Sequence, residues 1–239
     1  MAPRKAADSD SGATGKRLDR GTVVQAALSY IDKEGAQGLT MRALALELGV
    51  ATMAMYRYVS GREDILEAVV AELLTGVQQD LDDELSGTWQ GYLQTLAHAV
   101  RRIAVDHSQA FPLVATRHPA APWLRPPLRS LDLVENFLTT LKSRGFNDEQ
   151  AVGAYRAFSG FLLGQLLLEA TTRGAQTSPV ELPLDEGEAQ VHNNDGGLDL
   201  TQRPTVARLR PLLSEDHSEA EFEISLETLL DRLEMTISQ

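Results

Sequence analysis

The sequence predicts an all-α protein in which a short N-terminal three-helix unit feeds a larger helical domain. Three observations predict it. From Asp19 onward, apolar residues recur at three- and four-residue spacing, the signature of helices with one buried face. No stretch alternates at period two with β-branched residues, which argues against a sheet. And LTMRALALELGVATMAMYRYV, residues 39–59, reads as two short helices on either side of Gly49.

The first fifteen residues are rich in Ala, Ser, Gly and Asp without periodicity, and are expected to form a disordered arm. The first helix opens after Asp19, whose carboxylate can cap free backbone N–H groups. It turns Val23, Val24, Ala27, Leu28 and Ile31 inward and stops at Gly35. Thr40 caps a second helix that buries Leu44 and Leu48 and ends at Gly49; a third covers Ala51 to Tyr58. Ser60-Gly61-Arg62-Glu63 has capping-box spacing and opens a helix over about 64–78, through Ile65, Leu66, Val69, Val70, Leu73 and Leu74. Further helices are expected near 88–107, 124–144, 148–172 and 218–236, with shorter elements near 109–117 and 204–213. The segment HPAAPWLRPP, residues 118–127, holds four of the ten prolines and reads as a rigid connection. Residues 174–203 carry several Pro and Gly; from Glu181 to Asp199 there are six acidic residues and no Lys or Arg, so a mobile loop is expected there. The domain division this implies is 16–63 for the three-helix unit and 64–239 for the larger domain.

Composition narrows the function. The 239 residues carry a net charge of −12, but residues 1–62 hold nine Lys/Arg against six Asp/Glu while the rest holds thirteen against twenty-eight. That asymmetry places a module able to meet a polyanion on an acidic body. The absence of cysteine excludes disulfides, thiolate metal sites and a cysteine nucleophile. GxSxG, HExxH, GxGxxG and a complete Walker loop are missing, and the five histidines lack ligand spacing, so no enzyme and no cofactor are expected. The apolar stretches read as too short to cross a bilayer and no secretory leader is evident, so a cytoplasmic location without membrane contact is expected.

A helix-turn-helix places small and polar residues of its second helix against the floor of the DNA major groove. Here Met55, Tyr58 and Val59 can face the core, leaving Thr52, Met53, Ala54, Tyr56 and part of Arg57 outward. At these residues the chain resembles the tetracycline-repressor family: about fifty residues from LDRGTVVQAALSYIDKEGAQGLTMRALALELGV to SGREDILEAVV match its N-terminal domain. FLTTLKSRGFNDEQAVGAYRAFSGFLLGQLLLEA and EFEISLETLLDRLE resemble its regulatory domain. The resemblance implies a homodimeric repressor that binds a palindromic operator and is released by a small molecule. It places Thr40 and Arg42 beside the DNA, Thr52, Met53 and Ala54 at the front of the recognition helix with Tyr56 behind, and Arg62 at a phosphate-contacting position. The competing reading is a helical ligand-binding or scaffold protein that does not regulate transcription; the basic residues at positions 42 and 62 favour DNA.

In the family a His and a Glu help hold a magnesium–drug chelate. The resemblance places Leu113 near that His and Leu168 at that Glu, and leucine offers no donor to a hard cation. A metal-free, largely apolar effector is therefore expected. Candidate pocket residues are Trp89, Leu93, Phe111, Trp123, Phe137, Phe158, Phe161 and Leu162, with His107, Arg117 and Gln165 as polar anchors. Dimerisation is expected through the helices at 148–172 and 218–236, using Val152, Phe158, Leu166, Phe222, Leu226, Leu229, Leu230 and Leu233.

Overall fold

The computed structural model describes residues 18–82, 87–175, 204–213 and 215–237; the expected arm at 1–15 and nearly all of the expected loop at 174–203 lie outside them. Among the described residues there are nine α-helices and no strand. Helix α1 (Arg20–Glu34) starts where Asp19 Oδ1 accepts the Thr22 N–H at 2.7 Å, and stops at Gly35, whose φ of 78° suits a residue without Cβ. Helix α2 (Met41–Glu47) is capped by Thr40 Oγ1, which accepts the Ala43 N–H at 3.0 Å. The chain then reverses at Gly49, φ 66°.

Three boundaries differ from the sequence expectation. Helix α3 spans only Thr52–Met55; the chain then tightens, with Tyr58 N–H donating to the Met55 carbonyl at 2.9 Å, so residues 56–58 form a turn. Helix α4 (Arg62–Asp82) begins earlier and runs longer, and the side chain that reaches back to the Ser60 N–H is Asp64 at 2.7 Å, not Glu63. Helix α6 (Leu131–Ser143) starts seven residues later than the expected 124, because Pro126 and Pro127 bring no N–H and Ser130 supplies the cap, accepting from Leu133 at 3.2 Å. Helices α5 (Trp89–Asp106), α7 (Asp148–Thr172), α8 (Pro204–Leu213) and α9 (Ser218–Ile237) lie where periodicity places them, and 3-10 turns stand at Ala36–Gly38 and Phe111–Leu113. A full capping box opens α7, Asn147 and Gln150 exchanging bonds of 2.9 and 3.0 Å.

Helices α1–α3 close over Val23, Ile31, Leu39, Leu44, Met55 and Val59, and the first turns of α4 complete that core with Ile65, Leu66 and Val69. Helix α4 then leaves this head and packs on α5; α5 packs on α7, which is flanked by α6 and α9. One element thus belongs to both parts. By length and composition α7 could cross a bilayer, with a mean hydropathy of 1.3 over 18 residues, more than the sequence reading allowed for its short apolar stretches. Its apolar side chains serve the bundle instead: Ala151, Ala154, Phe158, Leu162 and Leu166 are buried.

That burial corrects the expected dimer contacts. Phe158, Leu166, Phe222, Leu226, Leu230 and Leu233 lie inside the chain's own core and Leu229 is half-buried; of the expected set Val152 stands exposed. Apolar character alone does not separate a core from an interface. The outward face of α7 instead carries Val152, Gly153, Arg156, Ala157, Gly160, Gly164 and Leu168, and α9 exposes Ile224 and Met235.

Candidate nucleic-acid interface and ligand cavity

The buried Met55 and Val59 pin α3 to the head and fix which side chains look outward. Thr52 and Ala54 are half-buried at the front of α3, Met53 is 76% and Tyr56 47% exposed, and Arg57 is exposed. Arg42, in the first turn of α2, is exposed as well, and Thr40 keeps its hydroxyl proton free to donate because its oxygen is the acceptor in the cap. A guanidinium that can pair with guanine O6 and N7, beside methyl-bearing and small residues suited to thymine methyls, is the chemistry of base reading.

Arg62 departs from the expected phosphate contact. Its Nε donates to the Leu39 carbonyl and its Nη2 to the Ala36 carbonyl, both at 2.9 Å, and Nη1 lies 3.4 Å from Glu63. The side chain clamps the turn ahead of α2. Arg20 is a second clamp: it donates to the Tyr58 carbonyl at 2.9 Å and grips Asp64 at 2.6 and 3.1 Å. The Arg20 guanidinium, aided by the Ser60 N–H, holds the Asp64 carboxyl down to about 2.

In the larger domain an apolar cavity of about 30 Å³ lies between α5, α6 and α7. Leu96, Val100, Val114, Leu128, Leu133, Phe137, Tyr155, Phe158, Ser159, Leu162 and Leu163 line it. Phe137 meets Phe158 at 5.7 Å and Tyr155 at 5.8 Å between ring centroids. Burial pushes the Tyr155 phenol up to about 12, so it stays neutral, and it donates to the Pro126 carbonyl at 2.9 Å. In this state the space suits about one or two waters, so an organic molecule enters only if helices part.

Of the expected pocket residues, Phe137, Phe158 and Leu162 border this cavity. The others stand elsewhere. Trp89 packs edge-on against Phe146 at 5.5 Å, Phe161 stacks on Phe222 at 5.9 Å, and Leu93, Phe111 and Leu113 are core residues outside the lining. Trp123, 72% exposed, and Arg117 face outward; Leu168, also 72% exposed, shares a surface groove with Gln165. His107 faces the head: its Nδ1 is 2.8 Å from Asp32 of α1. Sequence reading missed Tyr155 and Ser159, which sit one turn from Phe158 and Leu162–Leu163 on the same face of α7; their helical register was the available signal. It also missed Arg129, buried and 2.8 Å from Glu63, a pair 66 positions apart.

Two family models match the chain: bacterial regulatory proteins of the tetR family over residues 23–69, and the tetracyclin repressor-like C-terminal domain over residues 82–237. The chain is 28% identical to the HTH-type transcriptional repressor DrrR1 of Streptomyces coeruleorubidus, across 95% of this chain and 84% of that one. It is 26% identical to the class D tetracycline repressor of Escherichia coli, across 93% and 92%. Its fold is similar to that of TetR from Acinetobacter baumannii AYE (TM-score 0.63, 23% identity, 92% and 98% covered). It is similar also to ActR of Streptomyces coelicolor, solved with actinorhodin (TM-score 0.63, 24% identity, 91% and 96% covered). The outward-facing helix-turn-helix and the all-helical body behind it agree with these matches, and the chain belongs to the tetR family of bacterial regulatory proteins, with a C-terminal domain of the tetracycline-repressor type.

Proposed function

We propose that this protein is a ligand-responsive transcriptional repressor of the cytoplasm, which binds a palindromic operator as a homodimer and leaves it when a small, largely apolar molecule opens the cavity between α5, α6 and α7. Residues 16–63 act as the reading head and 64–239 as the regulatory body. Arg42 reads a base edge; Thr40, Thr52, Met53, Ala54, Tyr56 and Arg57 make the remaining groove and backbone contacts. Two-fold symmetry then sets the half-sites about one helical turn, 34–36 Å, apart.

The observation that carries this reading is the exposed face of α2 and α3: cationic at Arg42 and Arg57, apolar at Met53, and fixed from behind by the fully buried Met55. The effector is assigned from the lining, in which the Tyr155 hydroxyl and Ser159 are the polar side-chain groups among eleven residues. No divalent metal is required of it, since Leu113 and Leu168 bring no donor to the positions that hold the chelate in the resemblance. The small-residue face of α7, with Ile224 and Met235 of α9, supplies the dimer contact. An obligate interface of this kind buries about 2,000 Å² or more.

The test is a gel shift with DNA from the region upstream of the protein's own gene, run against unrelated competitor of equal length. A shift that survives competitor, and that Arg42→Ala weakens, supports the proposal. Binding to both DNAs alike, or to neither, overturns it in favour of a helical ligand-binding or scaffold protein.

A further inference from the structure

We infer that Arg129, Glu63 and Arg62 form a polar relay that carries the state of the cavity to the base-reading helices; this rests on the repressor reading above. The relay begins in the cavity wall. Arg129 follows Leu128, a lining residue, and its backbone N–H donates at 3.0 Å to the carbonyl of Val114, another lining residue. Anything that displaces either wall residue moves Arg129.

The Arg129 side chain is 7% exposed, and donates Nη2 to Glu63 Oε2 at 2.8 Å and Nη1 to Thr116 Oγ1 at 3.3 Å; its buried Nε has no hydrogen-bond partner. A buried guanidinium this thinly satisfied depends on its carboxylate, because losing the partner leaves an uncompensated charge. Glu63 lies in the first turn of α4 and is met from the other side by Arg62 at 3.4 Å. Arg62 in turn holds the carbonyls of Ala36 and Leu39, both at 2.9 Å. Leu39 is followed directly by Thr40, the cap of α2, and Arg42 stands two residues on. One backbone hydrogen bond, the side-chain bonds of Arg129 and Arg62 about Glu63, and the short stretch of chain from Leu39 through Thr40 therefore join Val114 and Leu128 to the base-reading arginine. Such bonds weaken steeply with distance and angle, so a wall displacement of about 1 Å is enough to break one. Arg129, Glu63 and Arg62 are positioning residues: they act through Arg42.

The alternative route is rigid motion of α4 through its apolar packing, which does not need the Glu63 carboxylate. Amide hydrogen exchange of the full-length protein, without DNA, separates the two. Val114→Phe serves as a built-in occupant of the cavity, and Ser159→Leu, from the opposite wall on α7, is the second filler should the first fail to fold. In the parent protein a filler is expected to raise exchange across residues 36–44 by about fivefold, the low end of ordinary allosteric coupling. In the Glu63→Gln background the same filler is expected to add less than about twofold, with exchange in α9 unaffected in both. Equal increases in both backgrounds overturn the relay, as does no increase from either filler in the parent protein. Because no DNA is present, a failed gel shift overturns the repressor reading alone, and an intact gel shift with equal exchange increases overturns the relay alone.

Discussion

Arg42 and Arg62 carry the same charge into different surroundings, and their substitutions should fail in different assays. Arg42 is exposed on α2, so Arg42→Ala should leave the unfolding free energy within about 0.5 kcal/mol while costing about 1–3 kcal/mol of operator affinity and relaxing base preference at one position. Arg62 holds two backbone carbonyls, so Arg62→Ala should destabilise the free protein by about 1–2 kcal/mol, read by urea unfolding without DNA. An Arg62→Ala protein of parental stability, with a salt dependence of binding flattened by about one phosphate, would restore the phosphate role expected from sequence. Asp64 gives a pH signature. Its carboxyl is held at about 2 against an ordinary value of 3.8, so its contribution is present above the ordinary value and is lost as pH falls from near 4 towards 2. The pair is partly exposed and solvent screens it, leaving about 1 kcal/mol. Asp64→Asn should flatten the acid limb of the stability–pH curve by that amount and leave the curve above pH 6 parallel to the parent's.

At the scale of elements, helices were legible in sequence where one residue caps or breaks the backbone locally. Asp19, Thr40, Gly35 and Gly49 act through bonds and dihedrals within four residues of themselves, and the structure puts all of them to the use expected. The start of α6 was misplaced because periodicity alone extended it back through Pro126 and Pro127 to 124. Much of the cavity lining was illegible for another reason: an apolar side chain on an amphipathic helix has the same signature whether it borders a cavity, fills the core or meets a second chain. The exposed face of α7 shows this. An added Cβ at Gly153, Gly160 or Gly164 meets nothing within 4 Å inside the chain, so these glycines are not demanded by the protomer. If the face seats a partner copy, Gly160→Glu should place a charge in that contact and yield a folded monomer at micromolar concentration in sedimentation. If it does not, the substitution should leave the oligomeric state unchanged, and a helix-interior glycine replaced by a better helix former should stabilise by a few tenths of a kcal/mol.

For the whole molecule, the question is how a body with so small a cavity controls a head one helix away. Helix α4 lies in both cores, and His107 with Asp32, like Arg129 with Glu63, ties the body to the head by a polar contact that neither part makes alone. A ligand shifts such a system only by its differential affinity for the two states. The cavity of about 30 Å³ is too small for an organic molecule in the state described, so such a ligand favours a wider arrangement, and it releases DNA when that arrangement holds the reading heads at the wrong spacing. Coupling of about 1–3 kcal/mol would lower operator affinity about 5–150-fold. The lining also sets the chemistry: burying apolar ligand surface yields about 25 cal/mol per Å², whereas a charged group would meet one phenol and one hydroxyl and stay poorly compensated. Titrating hydrophobic aromatic compounds, and separately magnesium–tetracycline, into the protein–operator complex with and without a chelator should therefore show release by an apolar compound that the chelator does not alter. Ser159→Leu, which fills part of the same space, should by itself lower operator affinity, as a built-in occupant does, and should weaken that compound's further effect. Release by the magnesium chelate alone, abolished by the chelator, would mean that oxygen or nitrogen donors outside Leu113 and Leu168 hold a metal, and the apolar assignment would fall.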